Sequence, residues 1–422
     1  MEEELMSQPR HTLVFAVLLS SSFLLLHGRQ AQAQSFGVEM LNNIMPASGA
    51  MAGTSNAAPQ DVQSAIYGNP ATLTQMRGTN FSFSGAWIEP TYNITQAVPL
   101  AAFGVGPYSA KSDAQGIAAG NIGITQDFSA LGMPVTVGMG LFAGAGAGVD
   151  FRQVPASNGT HASIVALDTV MSAAIDVTDK FTFGASATLS TMTLDGPFVG
   201  ISGSSTDYAP MLKLGGNYQV SPNMAIGAYW RSKAQYTFEN LISFGGPFFN
   251  VALDRPEVVG MGISNNRLMD GRLLLAIDVT YLEYADADFL KALYNDQWAF
   301  QFGAQFTPNC GTKIRLGYAY NQNPMRDIPA TAAGGVAPPG GLAHIQYIQA
   351  QFAAIPQHRI TGGIGIQDVL PGVDVDLFAG GMFRNTQTFG TTTASLTGYW
   401  IGFATTWHFG RGACEYGDWG YE

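Results

Sequence analysis

The chain is poor in charge. Of its 422 residues only 12% are Asp, Glu, Lys or Arg, about half the share usual in soluble domains. It also lacks long apolar runs. Nowhere after residue 30 do about 18 apolar residues follow one another, which argues against a helical membrane span. Basic surplus is missing as well: the formal net charge is −11, which argues against a nucleic-acid partner. The six histidines show no ligand spacing, and neither a nucleophile elbow nor a phosphate loop occurs. No catalytic set, metal or other cofactor is therefore implied.

What remains is apolarity spread over alternate residues. Glycine numbers 51 and aromatics make up 11%. At the start, residues 13–26 form an apolar stretch of signal-peptide length, and Ala31-Gln32-Ala33 reads as a cleavage site, so residues 1–33 are expected to be an export signal. Glu2, Glu3 and Glu4 are unusual there, and a start at Met6 would give a better signal. A membrane anchor is the alternative reading.

Period-two alternation carries the fold. In 297–306, Trp298, Phe300, Phe302 and Phe306 share one face, and Gln297, Gln301 and Gln305 the other. Similar patterns occur in 180–190, 313–321 and 399–409. A soluble sandwich would carry Lys and Glu on its polar face. Here that face carries Gln, Ser, Thr, Asn and Gly, which suits a crowded lumen. About fourteen strands are expected, near 79–89, 116–128, 134–151, 161–177, 180–194, 208–220, 223–238, 256–267, 272–284, 297–308, 312–323, 357–368, 373–386 and 397–409. Tight turns such as Thr178-Asp179 and Ser221-Pro222 alternate with longer connections, up to 324–356. That is the outer-membrane pattern, with the short turns periplasmic. An even strand count leaves both termini in the periplasm. The expected fold class is thus all-β: a transmembrane antiparallel β-barrel over 79–409. Residues 34–78, rich in Ala, Gly, Asn and Met, read as an N-terminal plug, or alternatively as a loose tail.

Several segments together resemble the FadL family of outer-membrane transporters for long-chain fatty acids and other hydrophobic compounds. Ser48-Gly49-Ala50-Met51-Ala52-Gly53 followed by Asn69-Pro70-Ala71 resembles the family's plug. Leu253-Asp254-Arg255-Pro256-Glu257 resembles its proline-bearing start of the eighth strand, and Gln357-His358-Arg359 also opens a strand there. The last strand is aromatic and closes at Phe409. The resemblance implies a fourteen-stranded barrel with an N-terminal hatch. It also implies a kink in the third strand, through which a hydrophobic substrate leaves sideways into the bilayer. The counterpart here is the stretch containing Gly144, Gly146 and Gly148. Close packing of small residues against the plug would explain the same glycines. Two departures stand out: the loop 195–207 is short, and a tail, 410–422, follows Phe409. The short loop puts the family's outer groove in doubt; Phe244, Phe248 and Phe249 are candidates to replace it.

Parity places Arg231, Lys233, Arg315, Arg359 and Arg384 inward, where they could hold a carboxylate or simply pair with inward acids such as Asp278 and Asp376. The expected function is passive transport of hydrophobic small molecules by a monomer, with substrate and outer-membrane lipid as partners. A non-selective water-filled porin is the main alternative; an outer-membrane lipid hydrolase and a structural barrel rank below it.

Only two cysteines occur, and export would place them in an oxidising compartment. Cys310 lies in a short turn and Cys414 follows the last strand. Their strands' ends should lie roughly 15 Å apart at about 4.8 Å per strand, and the link from Phe409 to Cys414 spans about 17 Å. A Cys310–Cys414 disulfide is expected. Peptide mapping without reductant should recover the linked pair; two freely alkylatable thiols would exclude it.

Overall fold

The computed structural model describes residues 39–196, 203–244, 246–309 and 311–409. The export signal, the tail and both cysteines lie outside them. Alternation builds the strands β1 (Thr79–Gln96), β2 (Tyr108–Lys111), β3 (Ile117–Asp127), β4 (Val135–Asp150), β5 (His161–Thr178) and β6 (Phe181–Gly196). They are followed by β7 (Gly203–Ser221), β8 (Met224–Arg231), β9 (Ala234–Ile242), β10 (Phe249–Arg255), β11 (Glu257–Leu268) and β12 (Leu273–Glu283). The last five are β13 (Gln297–Asn309), β14 (Thr312–Asn321), β15 (His358–Leu370), β16 (Val373–Phe389) and β17 (Thr392–Phe409). β2 extends one end of β1, and β9 with β10 forms a separate hairpin. Among the described residues the other fourteen form one antiparallel wall, closed by β1 against β17 from Thr79↔Phe409 to Gln96↔Thr392. One end carries short turns, the other long loops.

Parity follows the sequence pattern. On β13, Trp298, Phe300 and Phe302 are exposed on the outer face, while Ala299, Gln301 and Gln305 are buried inside. On β1, Ser82, Ser84, Ala86 and Ile88 are buried. Proline is normally confined to strand edges. Pro90 still lies within β1 because it sits beyond the β3 ladder, where it pairs with Gly398 of β17 on one side only.

One expected strand is two elements. Residues 223–238 split at Ser232 into β8, in the wall, and β9, which turns into the lumen and pairs with β10. The hairpin buries Tyr236, Phe238, Val251 and Leu253. The apolar residues keep even parity through both, facing outward in β8 (Ile226) and buried in β9 (Tyr236, Phe238), so period alone cannot mark the departure.

The plug fills the half of the lumen nearer the turns. It holds the short helices Pro46–Ala50 and Val62–Tyr67 and the 3-10 turns Leu41–Ile44 and Pro70–Gln75. Asp61 caps the second helix by accepting from Ser64 N at 2.6 Å. Ile66 and Leu73 pack against Phe142 and Val170 of the wall, each burial contributing about 1.5–3 kcal/mol. Wall groups also hold the plug's backbone. Asp278 accepts from Ser55 N at 2.7 Å and Asn56 N at 3.0 Å. Asn69 donates to Gly216 O at 3.0 Å and caps the turn that Pro70 begins.

The plug fits because inward wall positions are glycine. A Cβ on Gly227 would lie 1.8 Å from Asn56 O, and one on Gly317 2.3 Å from Ala52 N. Gly227→Val should therefore force the plug off its seat, at an overpacking cost of about 1–3 kcal/mol. The variant barrel should fold, as judged by its gel migration before heating, and conduct small ions better in planar bilayers. Wild-type conductance in the folded variant would mean that the plug does not seal the lumen there.

Candidate functional site

Between β3 and β4 the ladder stops although both strands run on. β3 and β4 pair only from Asp127↔Thr136 to Ile122↔Leu141. Beyond that, β3 runs to Ile117 paired with β1 alone, and β4 runs to Asp150 paired with β5 alone. The register between β4 and β5 also shifts between Ala143 and Ala145, leaving Gly144 as the extra residue of a bulge.

Side chains and the plug bridge this gap. Asn121 accepts from Ala143 N at 3.0 Å and donates to Ser84 Oγ at 3.2 Å. Met40 N donates to Gly144 O at 3.1 Å, and Glu39 forms an antiparallel bridge with Ala145. Nearer the loops, Ser112 Oγ accepts from Asp150 N at 2.9 Å. Gly144 has no room for a side chain: a Cβ would lie 2.3 Å from an Asp168 oxygen. Gly146 and Gly148 are buried along the same unpaired run.

Behind the gap lies a buried ionic cluster drawn from four elements. Arg255, at the end of β10, donates through Nε to Glu39 Oε1 at 2.7 Å and through Nη2 to Glu39 Oε2 at 2.8 Å. Its Nη1 reaches both Asp168 oxygens, at 2.8 and 2.9 Å. Arg231 of β8 donates to Glu39 Oε2 at 2.8 Å. Tyr67 of the plug donates to Asp168 Oδ2 at 2.7 Å. Glu39, Asp168 and Arg255 are fully buried and Arg231 nearly so. Two cations meet two carboxylates, so the cluster is neutral. Lys213 lies beside it, donating to Tyr67 O, with its ammonium 4.9 Å from the Tyr67 ring centre.

Toward the loops the lumen becomes apolar. The β9–β10 hairpin, the helix Leu342–Gln351 and Phe103 converge there. Phe103 stacks on Phe244 at 6.0 Å, and Phe244 contacts Phe249 at 6.3 Å. His344 meets Phe103 edge-on at 4.6 Å. Phe248 and Phe249 are each 44% exposed at the outer edge of this cluster.

The cations expected to line one lumen do not share one site. Arg231 belongs to the cluster. Arg315 lies near the turns, bound to Asp376 and, at 2.7 Å, to Gln305. Arg359 is buried nearer the loops and donates to Asn321 at 3.0 Å. Lys233 lies past the end of β8, outside the wall, and donates to Asp286 at 2.8 Å; this bond raises the ammonium's pKa and lowers that of the carboxyl. Arg384 is exposed rather than lumenal. A register shift between Met382 and Asn385 reverses parity there. Glu39, Asp168 and Arg255 escape the parity list. Asp168 was accessible in principle, as one of two carboxylates on the inward face of β5, with Asp176 nearer the turn.

No protein-family model and no curated protein matches the sequence. Solved structures do match. The Pseudomonas putida toluene transporter TodX aligns over 88% of this chain and 100% of its own, with 17% identity and a TM-score of 0.65. A Pseudomonas aeruginosa FadL homologue gives 88% and 100%, 13% identity and 0.66. The Ralstonia pickettii toluene transporter TbuX gives 87% and 99%, 20% identity and 0.58. The chain has the fold of these proteins. It is the fold that the FadL resemblance implies.

Arg255 joins plug, hairpin and wall, so its loss strands buried carboxylates. Arg255→Met should lower unfolding stability by about 3–5 kcal/mol, as for other buried pairs that lose one partner. Adding Glu39→Gln should recover part of that loss in a double-mutant cycle. Urea unfolding of the refolded barrel measures both; additive effects would show that the two residues are not coupled.

Proposed function

We propose that this chain is an outer-membrane channel for passive movement of hydrophobic small molecules, with lateral release into the bilayer. The observation that carries the reading is the interrupted β3–β4 ladder beside a plugged lumen. The apolar outer face of the wall fits lipid, and the short-turn end fits the periplasmic side. Both β1 and β17 meet that end, which would leave both termini in the periplasm. A closed wall needs no second copy to satisfy its strand edges, which fits a monomer.

Capture would begin at the aromatic edge, where Phe248 and Phe249 are exposed and the half-buried Phe244 stacks on Phe103. The apolar upper lumen would strip water from the substrate. Beyond it, the ionic cluster and the plug close the direct way to the periplasm, and the run of β4 containing Gly144, Gly146 and Gly148 borders the open side. Arg231, Arg315 and Arg359 are each engaged with polar groups of this chain, which supports a bracing role for them before a carboxylate-binding one. TodX and TbuX are described as toluene transporters, and that description supports a hydrophobic cargo here. A water-filled porin fits less well, since plug, hairpin and helix occupy the lumen. Transport also fits better than catalysis, because the charges of the ionic cluster are engaged with one another.

Gly146→Val together with Gly148→Val should narrow the opening. Uptake of labelled toluene or palmitate by cells with equal surface amounts should fall several-fold, while the low ion conductance of the purified barrel stays unchanged. Full uptake would remove the lateral route.

A further inference from the structure

The outer face of the wall carries a trough of about 530 Å³ over β1, β3, β16 and β17. That is within the about 300–1,000 Å³ common for small-molecule sites. Its floor is small: Gly85, Ala118 and Gly120. Its sides are large and flat: Phe83, Trp87 and Phe403. Register aligns these residues across three strands, with Gly85 opposite both Gly120 and Phe403, and Trp87 opposite Ala118. Ala118 and Gly120 belong to the part of β3 that has no β4 partner. The trough therefore begins at the rim of the gap.

A second trough, of about 480 Å³, lies over Gly303, Ala304 and Gly317. There the ladders among β12, β13, β14 and β15 are continuous through the floor residues. Small residues alone thus make a hollow anywhere on the wall. Continuity with the gap distinguishes the first.

We propose that the first trough receives the transported molecule as it leaves the wall, and that its occupant is a neutral, ring-bearing hydrophobe. The inference rests on the lateral route proposed above. Within a bilayer an apolar surface gains little by exchanging one hydrocarbon for another. A preference must come from shape and aromatic contact. A rigid ring has little conformational freedom to lose, whereas an acyl chain confined in a short trough gives up rotamers. Three aromatic side chains can stack on a ring or meet it edge-on. Both side-chain donors of its lining are engaged, Trp87 Nε1 with Glu89 at 3.2 Å and Ser84 Oγ with Gln63 at 2.7 Å, so nothing on the floor would hold a carboxylate. A stop beside the opening would clear it for the next molecule before the first diffuses away.

The test fills each trough from the lipid side. A Cβ on Gly85 would lie 3.2 Å from a Phe403 ring carbon, a contact the ring can relieve by turning. Gly85→Val should slow toluene uptake several-fold, affect palmitate less, and leave the plug's low ion conductance intact. Ala304→Leu, filling the second trough, should leave toluene uptake at the wild-type rate. Photolabelling with a neutral aryl diazirine should mark 81–89 more than 298–306. Wild-type uptake by Gly85→Val, equal slowing of both substrates, or equal labelling of the two segments would overturn the proposal. Failure of the lateral route itself would show separately, as full uptake by the Gly146→Val, Gly148→Val variant.

Discussion

A wall in lipid has no water to satisfy an open strand edge, and each unmet backbone group costs several kcal/mol. Everything distinctive about this barrel follows from how it meets that constraint between β3 and β4. The ladder ends at Ile122↔Leu141, and groups from outside the ladder meet the β4 edge beyond it. Asn121 supplies an amide oxygen to Ala143 N, Ser112 supplies a hydroxyl to Asp150 N, and Met40 of the plug supplies an N–H to Gly144 O. The plug is thus part of the wall's hydrogen bonding as well as a stopper. The same few groups hold the plug's start and border the break in the ladder.

The ionic cluster follows from that coupling. Glu39 can lie along β4 only if its carboxylate is neutralised there. Two guanidiniums do so, one from the wall and one from the outer hairpin. Such buried clusters contribute little net stability, because desolvation offsets most of the attraction. Their effect is positional: the hydrogen bonds of Arg255 specify where the hairpin ends, where the plug begins and where Asp168 sits under the bulge. Gly144 completes the arrangement, since any side chain there would displace the Asp168 carboxylate.

The wall was legible in the sequence because lipid on one side and a crowded lumen on the other impose a period of two on every strand. All fourteen strands lie near their expected places, and the plug lies where composition suggested. Two failures have physical causes. The apolar residues keep one parity from β8, where they face outward, into β9, where they are buried, so 223–238 read as a single element. Arg384 follows a bulge, and one extra residue inverts every later side chain. The cluster was less legible because its members are far apart in sequence: Glu39 pairs with Arg231 and Arg255 through contacts that no local pattern encodes. Asp168 alone among them carried a local signal, a carboxylate at mid-strand on the inward face of β5. The expected Cys310–Cys414 link falls outside the described residues.

Glycine shows how parity turns one residue type to opposite ends. Facing inward, Gly184, Gly215, Gly227 and Gly317 lie against plug atoms so closely that a Cβ would fall within 2.4 Å of them. Their absence of side chain lets the plug lie directly against the wall. Facing outward, Gly120 has only a single atom within 4 Å of where a Cβ would be, a backbone oxygen at 3.8 Å. Its absence of side chain leaves space beside the break in the wall. The first group seats the plug inside the barrel and the second leaves room outside it. Because a strand alternates strictly, a shift of one residue would exchange these roles. The bulge at Gly144 is therefore confined to the stretch of β4 where β3 no longer pairs, and cannot disturb the parity of the β3–β4 ladder between that stretch and the turns.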